Sequence, residues 1–340
     1  MTARRLIPPI ALLGGLAGML LAAVPAIAGT AATVTKHHPD PTGDGCSKYS
    51  MCEYLEIDYV AAQGEANAVT VSSVTTPAGP GQTVIHDGGA PITPGAGCTR
   101  IDDHTVACSP HAVSVLAGDM DDSVTGGNTL RGGPGDDRLT GGASHQVLDG
   151  DEGNDTLSGG DGDDTLLGGS GVDLVLGEDG FDTLVEDEGP GGPAADRLDG
   201  GPGPDTVDYA SREDPVVVRL GGPNPTGGSS GEGDSIRAIE GAYGGSGDDL
   251  LTGSRLADVL WGGPGADRIS GRGGSDELDG DDGRDRIRGG PGADRLSGNA
   301  GTDTILARDG RRDRVSGGRG RDRARVDRGL DRVLSVAALF

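Results

Sequence analysis

Residues 289–297 read Gly289-Gly290-Pro291-Gly292-Ala293-Asp294-Arg295-Leu296-Ser297, and this nine-residue unit decides the fold of the chain. The unit repeats without a register slip from Gly244 to Leu306 and less evenly from Gly132 to Asp208. Its first six residues predict a turn, because the glycines tolerate positive φ and let the backbone aim its carbonyls at a common point. The last three residues predict a short strand with one apolar side chain pointing inward.

One inward side chain per unit cannot stabilise a fold alone, so the units are expected to stack. Stacking brings the aspartate of each turn and several carbonyl oxygens into a column. Ca²⁺ prefers such sets of hard oxygen ligands. The period therefore predicts an all-β solenoid that assembles around bound metal ions.

The pattern Gly-Gly-x-Gly-x-Asp-x-(Leu/Ile/Val)-x resembles the calcium-binding nonapeptide repeat of secreted RTX-type, or hemolysin-type, proteins. The resemblance covers about residues 117–334. It implies a parallel β-roll in which two repeats make one coil and successive strands join opposite sheets. It also implies several Ca²⁺ ions between turns two repeats apart, held by turn aspartates and by carbonyls of the glycine-rich segment.

Two repeats per coil place every second aspartate, 18 residues apart, in one row. Stacked strands lie about 4.8 Å apart, which suits one ion between two successive carboxylates. In the second array the rows are Asp249, Asp267, Asp285 and Asp303, and Asp258, Asp276 and Asp294. In the first array they are Asp137, Asp155 and Asp173, and Asp164 and Asp182. Asp196 and Asp205 complete the predicted metal ligands.

Two features of these rows predict unequal sites. Gln146 stands where the second row needs a carboxylate, and Ser144 replaces the fourth glycine of that repeat, so we expect a weak or missing ion there. On the 18-residue spacing, Asp249 and Asp303 end their row, whereas Asp267 has a neighbour on both sides.

The inward positions of both arrays predict two apolar ladders, formed by Leu139, Leu148, Leu157, Leu166, Leu184, Leu251, Leu260, Ile269, Leu278, Ile287, Leu296 and Ile305. Aromatic residues make up only 2% of the chain, so the core is a thin stripe. With 66 Gly among 340 residues and a net charge of −26, the composition is closer to that of a disordered chain. We therefore expect Ca²⁺ binding to supply the free energy that folds the repeats.

Residues 1–28 are typical of a secretory signal peptide. Arg4 and Arg5 precede an apolar run from Leu6 to Val24, and Ala26-Ile27-Ala28 is a small-x-small cleavage signal. Cleavage after Ala28 predicts a secreted, extracellular protein without a membrane span, and we expect a monomer. A transmembrane anchor is the alternative, but the run contains several glycines and prolines and no stop-transfer charge cluster follows it closely. The sequence does not distinguish general secretory from twin-arginine export.

Residues 29–116 differ in kind and predict a small β domain that caps the solenoid. Residues 55–60 and 68–74 alternate like strands. An even number of cysteines in an exported chain favours disulfides, and the four cysteines allow three pairings. We favour the local pairs Cys46–Cys52 and Cys98–Cys108, because each brackets a short loop or hairpin. A zinc site is the alternative, but these spacings match no common zinc pattern.

The remaining partition follows from the regularity of the repeat. Array 1 covers residues 117–208, a spacer that continues the roll covers 209–243, and array 2 covers 244–306. Residues 307–340 are degenerate, with 10 Arg against 6 Asp after residue 300, so we expect this end to hold little calcium. Either it is a salt-bridged cap with Val333, Leu334, Leu339 and Phe340 covering the ladder, or it is a basic patch that binds a polyanion.

Catalytic motifs are weak in this sequence. There is no His-Glu-x-x-His, and Gly227-Gly228-Ser229-Ser230-Gly231 matches Gly-x-Ser-x-Gly only within a Gly/Ser loop. The repeat already explains paired carboxylates such as Asp163-Asp164 as turn residues. The sequence therefore predicts a non-catalytic calcium-binding protein with no nucleic-acid partner. The alternatives are a surface adhesin with a glycan or cell-surface partner and an accessory module related to RTX hydrolases.

Overall fold

The structure is a computed structural model that describes residues 30–37, 54–61, 64, 66–74, 82–95, 98–108, 112–187, 194–222, 224, 226–230 and 232–339. Within these ranges every regular element is a β-strand or a bridge. The N-terminal strands are β1 (Thr30–His37), β2 (Tyr54–Val60), β3 (Ala68–Val74), β4 (Gln82–Asp87), β5 (Ile92–Pro94), β6 (Cys98–Arg100), β7 (Thr105–Cys108) and β8 (Ala112–Leu116). Thus β2 and β3 confirm the two strands predicted there.

The first array forms β9 (Ser123–Thr125), β10 (Thr129–Pro134), β11 (Arg138–Gly142), β12 (Val147–Glu152), β13 (Thr156–Asp161), β14 (Thr165–Leu167), β15 (Leu174–Asp179), β16 (Thr183–Val185), β17 (Arg197–Asp199) and β18 (Thr206–Asp208). The interruption forms β19 (Val217–Arg219), β20 (Thr226–Gly227), β21 (Asp234–Arg237) and β22 (Gly241–Tyr243).

The second array and the C-terminal segment form β23 (Leu250–Thr252), β24 (Val259–Trp261), β25 (Arg268–Ser270), β26 (Glu277–Asp279), β27 (Asp282–Gly283), β28 (Arg286–Arg288), β29 (Arg295–Ser297), β30 (Ala300–Gly301), β31 (Thr304–Leu306), β32 (Arg314–Ser316), β33 (Arg319–Gly320), β34 (Arg323–Arg325), β35 (Arg332–Leu334) and β36 (Ala338–Leu339). The two-residue strands β27, β30 and β33 pair with one another at the turns.

The solenoid consists of two sheets, because successive strands of the repeat join opposite sheets. Sheet 1 contains 15 strands, and within the arrays it runs from β8 and β10 through β12, β14, β16 and β18 to β22, β24, β26, β29, β32 and β35. Sheet 2 contains β9, β11, β13, β15 and β17, and later β23, β25, β28, β31 and β34. Equivalent residues pair in parallel, as Leu139 does with Leu157. This architecture confirms the predicted parallel β-roll.

The core between the sheets is made of the two predicted apolar ladders. Every aliphatic residue that the repeat places inward, from Leu139 to Ile305, is at most 2% exposed. Each strand contributes one such side chain, so a ladder gains one layer per coil. The hydrophobic free energy therefore grows with the number of coils and is small for any single repeat.

The spacer continues the solenoid in both sheets. In sheet 1, β18 pairs directly with β22, so the interruption leaves this sheet unbroken. In sheet 2, β19, β20 and β21 form an antiparallel insertion between β17 and β23. The loop between β19 and β20 joins antiparallel neighbours, which explains why the nine-residue period fails there.

Both sheets also extend into the N-terminal segment. Strand β2 pairs in parallel with β8, and β3 pairs in parallel with β9. A disulfide joins Cys98 to Cys108 across the antiparallel pair β6–β7, as predicted. The predicted signal peptide and the predicted Cys46–Cys52 pair lie outside the described residues.

The C-terminal coil differs from the cap that the sequence suggested. Val333 packs against the core, but Leu334 is 51% exposed and Leu339 is 43% exposed. Leu334 occupies the outward position of its strand, next to Ser316 in sheet 1. It therefore faces solvent and does not cover the ladder.

Candidate metal sites

The aspartates of the repeats form two buried ladders, each interrupted once at the spacer. Within each uninterrupted part, the Oδ1 atom accepts a hydrogen bond from the backbone N–H of the ladder residue one coil earlier. This distance is 2.7 Å from Asp137 N to Asp155 Oδ1 and 3.0 Å from Asp267 N to Asp285 Oδ1. The aspartate carbonyl in turn accepts the N–H of the following coil, as in Thr156 to Asp137. These bonds fix the register of adjacent turns.

The ladders contain all of the aspartates that the sequence assigned to the rows. The first ladder contains Asp122, Asp137, Asp155, Asp173, Asp196 and Asp234, and resumes with Asp249, Asp267, Asp285, Asp303 and Asp322. The second contains Gln146, Asp164, Asp182, Asp205 and Glu240, and resumes with Asp258, Asp276, Asp294, Asp313 and Asp331.

One sequence expectation about the rows is wrong. Asp303 does not end its row, because its N–H donates to Asp322 Oδ1 at 3.0 Å. Asp249 does follow a break, since the donor to its Oδ1 is the N–H of Val216 at 2.8 Å. Asp303 therefore has a carboxylate neighbour on both sides, as Asp267 has.

The ladder aspartates are of two kinds, which differ in whether the second carboxylate oxygen, Oδ2, has a hydrogen-bond partner. In most of the ladder positions Oδ2 is buried and has no hydrogen-bond partner: Asp122, Asp137, Asp155, Asp164, Asp173, Asp182, Asp205, Asp267, Asp276, Asp285, Asp294, Asp303, Asp313 and Asp322. In Asp249 and Asp258, by contrast, Oδ2 accepts the N–H of Gly245 at 2.7 Å and of Ser254 at 2.6 Å. A buried oxygen without a donor is energetically costly unless a cation or a proton compensates it.

The unpartnered oxygen faces a carbonyl of the next coil. A β-carbon added at Gly262 would come closer than 3.0 Å to both Asp267 Oδ2 and the carbonyl oxygen of Gly280. Two hard oxygens therefore converge beside the first glycine of the repeat. The same convergence of an unpartnered Oδ2 and a carbonyl occurs at Gly132, Gly150, Gly159, Gly177, Gly271 and Gly298; at Gly244 and Gly253 the carboxylate oxygen belongs to Asp249 or Asp258 and already accepts a backbone N–H.

Burial raises the pKa of many of these carboxyl groups, Asp155, Asp267 and Asp285 among them, because the charged form loses its hydration. The pKa reaches about 7 for Asp155, Asp267 and Asp285, and about 6 for Asp276 and Asp294. Hydrogen bonds from backbone N–H groups lower the pKa of each, while a neighbouring ladder carboxylate raises it further. A bound divalent cation would remove the free-energy cost of ionising these buried groups, because it compensates the charges of two neighbouring ladder carboxylates.

The donor set fits Ca²⁺. Ca²⁺ takes six to eight oxygen ligands from carboxylates and backbone carbonyls in flexible geometry, whereas Mg²⁺ demands a smaller and more regular octahedron. The turns offer carboxylate and carbonyl oxygens and, among the described ladder positions, no sulfur or imidazole. Fold and site together define a calcium-binding parallel β-roll.

The comparison with known families agrees with this class. The family model of the RTX calcium-binding nonapeptide repeat matches residues 122–157, 149–184, 190–208, 243–278 and 279–312. The chain therefore contains several RTX-type nonapeptide repeats, which bind multiple Ca²⁺ ions. No curated protein matches the chain.

The Gln146 position differs from its neighbours as the sequence suggested. Its N–H still donates to Asp164 Oδ1 at 2.7 Å, so the ladder is intact. Both polar atoms of its side-chain amide are hydrogen-bonded within the same turn. Oε1 accepts the N–H of Gly142 at 3.3 Å, and Nε2 donates to Ser144 Oγ at 2.9 Å. A weaker ion at this coil stays a prediction.

At the interruption, two members of the first ladder form an acidic cluster with Glu186. Glu186, Asp196 and Asp234 each place a carboxylate oxygen within 4.8 Å of the others, and all three are buried. Asp234 Oδ2 accepts the Tyr209 hydroxyl at 2.7 Å, and Arg212 Nη2 lies 3.8 Å from Glu186 Oε2. Burial and the neighbouring acids raise the pKa of Glu186 well above its usual range. Arg212 also pairs with Glu232 at 2.7 Å, so this junction between the arrays keeps an excess of buried acid.

Sequence reasoning left out several ladder members at coils that are not 18 residues long, although it included Asp196, which follows Asp173 by 23 residues. Asp122 precedes Asp137 by 15 residues, Asp313 follows Asp294 by 19, and Asp234 follows Asp196 by 38. Asp313 and Asp322 are fully buried with an unpartnered Oδ2, like the regular positions. The expectation that the arginines spoil this end therefore has no support in the carboxylate geometry. The apolar residue two positions after each of these aspartates is the signal that could have identified them.

Proposed function

We propose that this protein is exported and that its roll folds outside the cell when Ca²⁺ fills the two aspartate ladders. The buried, unpartnered Oδ2 atoms that face carbonyl oxygens carry this proposal. Without a cation, each ionised carboxylate costs free energy in the folded state, so the acidic arrays should favour the unfolded chain near neutral pH. Calcium reverses this balance by binding the folded state only.

The proposed ligands are the ladder aspartates together with the facing glycine carbonyls. Ca²⁺ supplies charge neutralisation there and joins one coil to the next. The aspartates with an unpartnered Oδ2 are the strongest candidates. Asp249, Asp258 and Asp196 are weaker candidates than the sequence suggested, because backbone donors or the junction cluster already surround their oxygens.

Export and the absence of catalysis belong to the same proposal. The signal-like residues 1–28 and the Cys98–Cys108 disulfide support an oxidising destination. No helix among the described residues is long and apolar enough to cross a membrane. The repeat acids already serve as structural acceptors in the ladders, which favours a binding role over acid–base chemistry.

A calcium titration of the secreted chain tests the proposal. Far-UV circular dichroism and limited proteolysis are measured in EDTA and then with increasing Ca²⁺, with Mg²⁺ as the matched control. The expected result is a gain of β signal and protease resistance with Ca²⁺ and little change with Mg²⁺. Full β signal and protease resistance in EDTA would refute it. N-terminal sequencing of exported protein tests cleavage after Ala28.

A further inference from the structure

The outward side of sheet 2 carries an unusual concentration of arginine. We define the arginine face as the outward positions of β25, β28, β31 and β34, which contain Arg268, Arg286, Arg288, Arg323 and Arg325. The other outward residues of these strands are Ser270, Thr304 and Leu306. The face therefore contains five cations and no acid, in a protein whose net charge is −26.

The opposite side of the same coils has a mixed charge. The outward positions of β26, β29 and β32 in sheet 1 include Glu277 and Asp279 beside Arg295 and Arg314. Arg295 pairs with Glu277 at 3.3 Å. Most of the chain's acids lie in the turns, where calcium would neutralise them, so the two faces of the calcium-loaded roll differ in charge.

Four of the five arginines on this face are not neutralised from within. Among the described residues, Arg268, Arg286, Arg288 and Arg325 have no ion pair within 4.0 Å. Arg268 and Arg286 are direct neighbours on adjacent strands. Like charges directly opposite one another in a sheet are destabilising. A surface that keeps such pairs gains stability when an anion covers it.

The shape of the face fits an extended partner. Adjacent strands lie about 5 Å apart, so the four strands present a cationic strip along the solenoid axis, with Thr304 and Leu306 of β31 between the arginines. Toward the N terminus the outward positions of sheet 2 add Arg138, Arg197 and Arg219, but Arg237 pairs with Asp199 at 3.7 Å and the exposed ends of β13 and β15 carry Asp161, Glu178 and Asp179, so the strip is confined to the second array and the C-terminal coils. An anionic chain lying parallel to the axis could contact arginines on β25, β28 and β34.

We propose that the arginine face binds a linear polysaccharide that carries carboxylate or sulfate groups. Guanidinium groups bind both anions with two parallel hydrogen bonds. Hydroxyl side chains between the arginines, at Ser270, Thr304 and Thr252, can bond the sugar hydroxyls. Aromatic side chains, on which nucleic-acid bases would stack, are absent from the outward positions of these strands. The proposal goes beyond calcium binding and requires only that the roll be folded.

The test compares matched double variants in Ca²⁺, after circular dichroism has verified the fold. Arg286→Gln with Arg288→Gln changes the arginine face, and Arg295→Gln with Arg314→Gln removes the same charge from sheet 1. Calorimetry measures binding of hyaluronan oligosaccharides, which are carboxylated, and of heparin oligosaccharides, which are sulfated. Neutral dextran, single-stranded DNA of equal length and anionic vesicles are the comparison ligands. Arg268→Gln replaces the double variant if that variant loses β signal.

The wild type is expected to bind at least one of the two acidic oligosaccharides and not dextran, more weakly at high salt. The arginine-face variant should lose at least about fivefold in affinity, and the sheet 1 variant less than about twofold. Equal losses in both variants, no binding by the folded wild type, or tighter binding of DNA or vesicles would each overturn the proposal. Because the fold is verified first, these results are distinct from a failure of calcium-induced folding.

Discussion

Replacing Asp267 with Asn should change stability in opposite directions with and without calcium. Asp267 Oδ1 accepts a backbone hydrogen bond, which Asn retains, whereas its Oδ2 faces the carbonyl of Gly280. In Asn an NH₂ group takes the place of Oδ2 and can donate to that carbonyl. The variant should therefore favour the metal-free roll and disfavour the calcium-bound one.

The magnitudes follow from the environment of Asp267. Its pKa rises from 3.8 to about 7, which corresponds to at most ~4 kcal/mol of folding free energy lost at pH 8. Since the turn edge borders solvent, we expect Asn to recover about half of this, ~2 kcal/mol, in EDTA. With calcium at one hundred times its dissociation constant, each bound ion contributes ~2.7 kcal/mol. Asp267 lies between Asp249 and Asp285, so losing two ions would cost up to ~5 kcal/mol.

Asp249→Asn is the matched control in the same ladder. Both of its carboxylate oxygens already accept backbone N–H groups, from Val216 and Gly245. An Asn there must point its NH₂ group at one of these donors, which should cost ~1–3 kcal/mol even in EDTA. The two isosteric changes therefore have opposite effects on the metal-free protein.

Urea unfolding followed by circular dichroism, in EDTA and in excess Ca²⁺, measures both stabilities, and calorimetry counts the ions. The reasoning is refuted if Asp267→Asn destabilises the metal-free protein, or if it binds as many ions as the wild type.

Three further predictions concern the ends of the arrays, pH and the disulfide. Asp322→Asn should reduce the calcium count by as much as Asp303→Asn, because both residues are buried with an unpartnered Oδ2; a count unchanged in Asp322→Asn would restore the sequence-based discount of this end. In EDTA the β signal should increase as pH falls from about 8 to about 5. The folded-state pKa values of Asp155 and Asp285, near 7, exceed the unfolded value of 3.8, so the metal-free fold is most stable below both values and loses stability as pH rises through 7. Calcium affinity should weaken over the same fall in pH, and a calorimetric affinity that stayed constant would contradict this. Reduction of Cys98–Cys108 should leave the calcium transition of the arrays nearly intact, because β6 and β7 lie outside the aspartate ladders; loss of the transition would show instead that the N-terminal strands nucleate the roll.

The ladders were predictable from the sequence because a strict period fixes both neighbours of every residue. Leu139 and Leu157 differ by one coil and pair in the structure, and the same spacing aligned Asp137 with Asp155. Within a regular array, the nine-residue unit leaves no freedom for another register.

The remaining ladder members were not predictable from spacing alone. Coils of 15 and 19 residues accommodate their missing or extra residues in the turns, and the next aspartate still returns to the ladder. The hydrogen bond from a backbone N–H to the next carboxylate imposes this register, and it is a contact between coils that no single repeat reveals. For the same reason, the sequence did not show that backbone N–H groups already donate to the carboxylate oxygens of Asp249 and Asp258.

The hydrogen-bonded ladder also gives the solenoid a direction of assembly. Each coil offers its aspartate N–H to the coil that follows, so the donor belongs to the rigid backbone and the acceptor to a side chain. Truncation from the C-terminal side leaves a buried amide without an acceptor at the new end. Truncation from the N-terminal side leaves a carboxylate, which can rotate into water or take up a proton, and it also leaves strand amides such as Thr156 N–H without their carbonyl acceptors. The two ends of the roll therefore expose different groups, and a shortened version needs a cap at either end that supplies the missing acceptors.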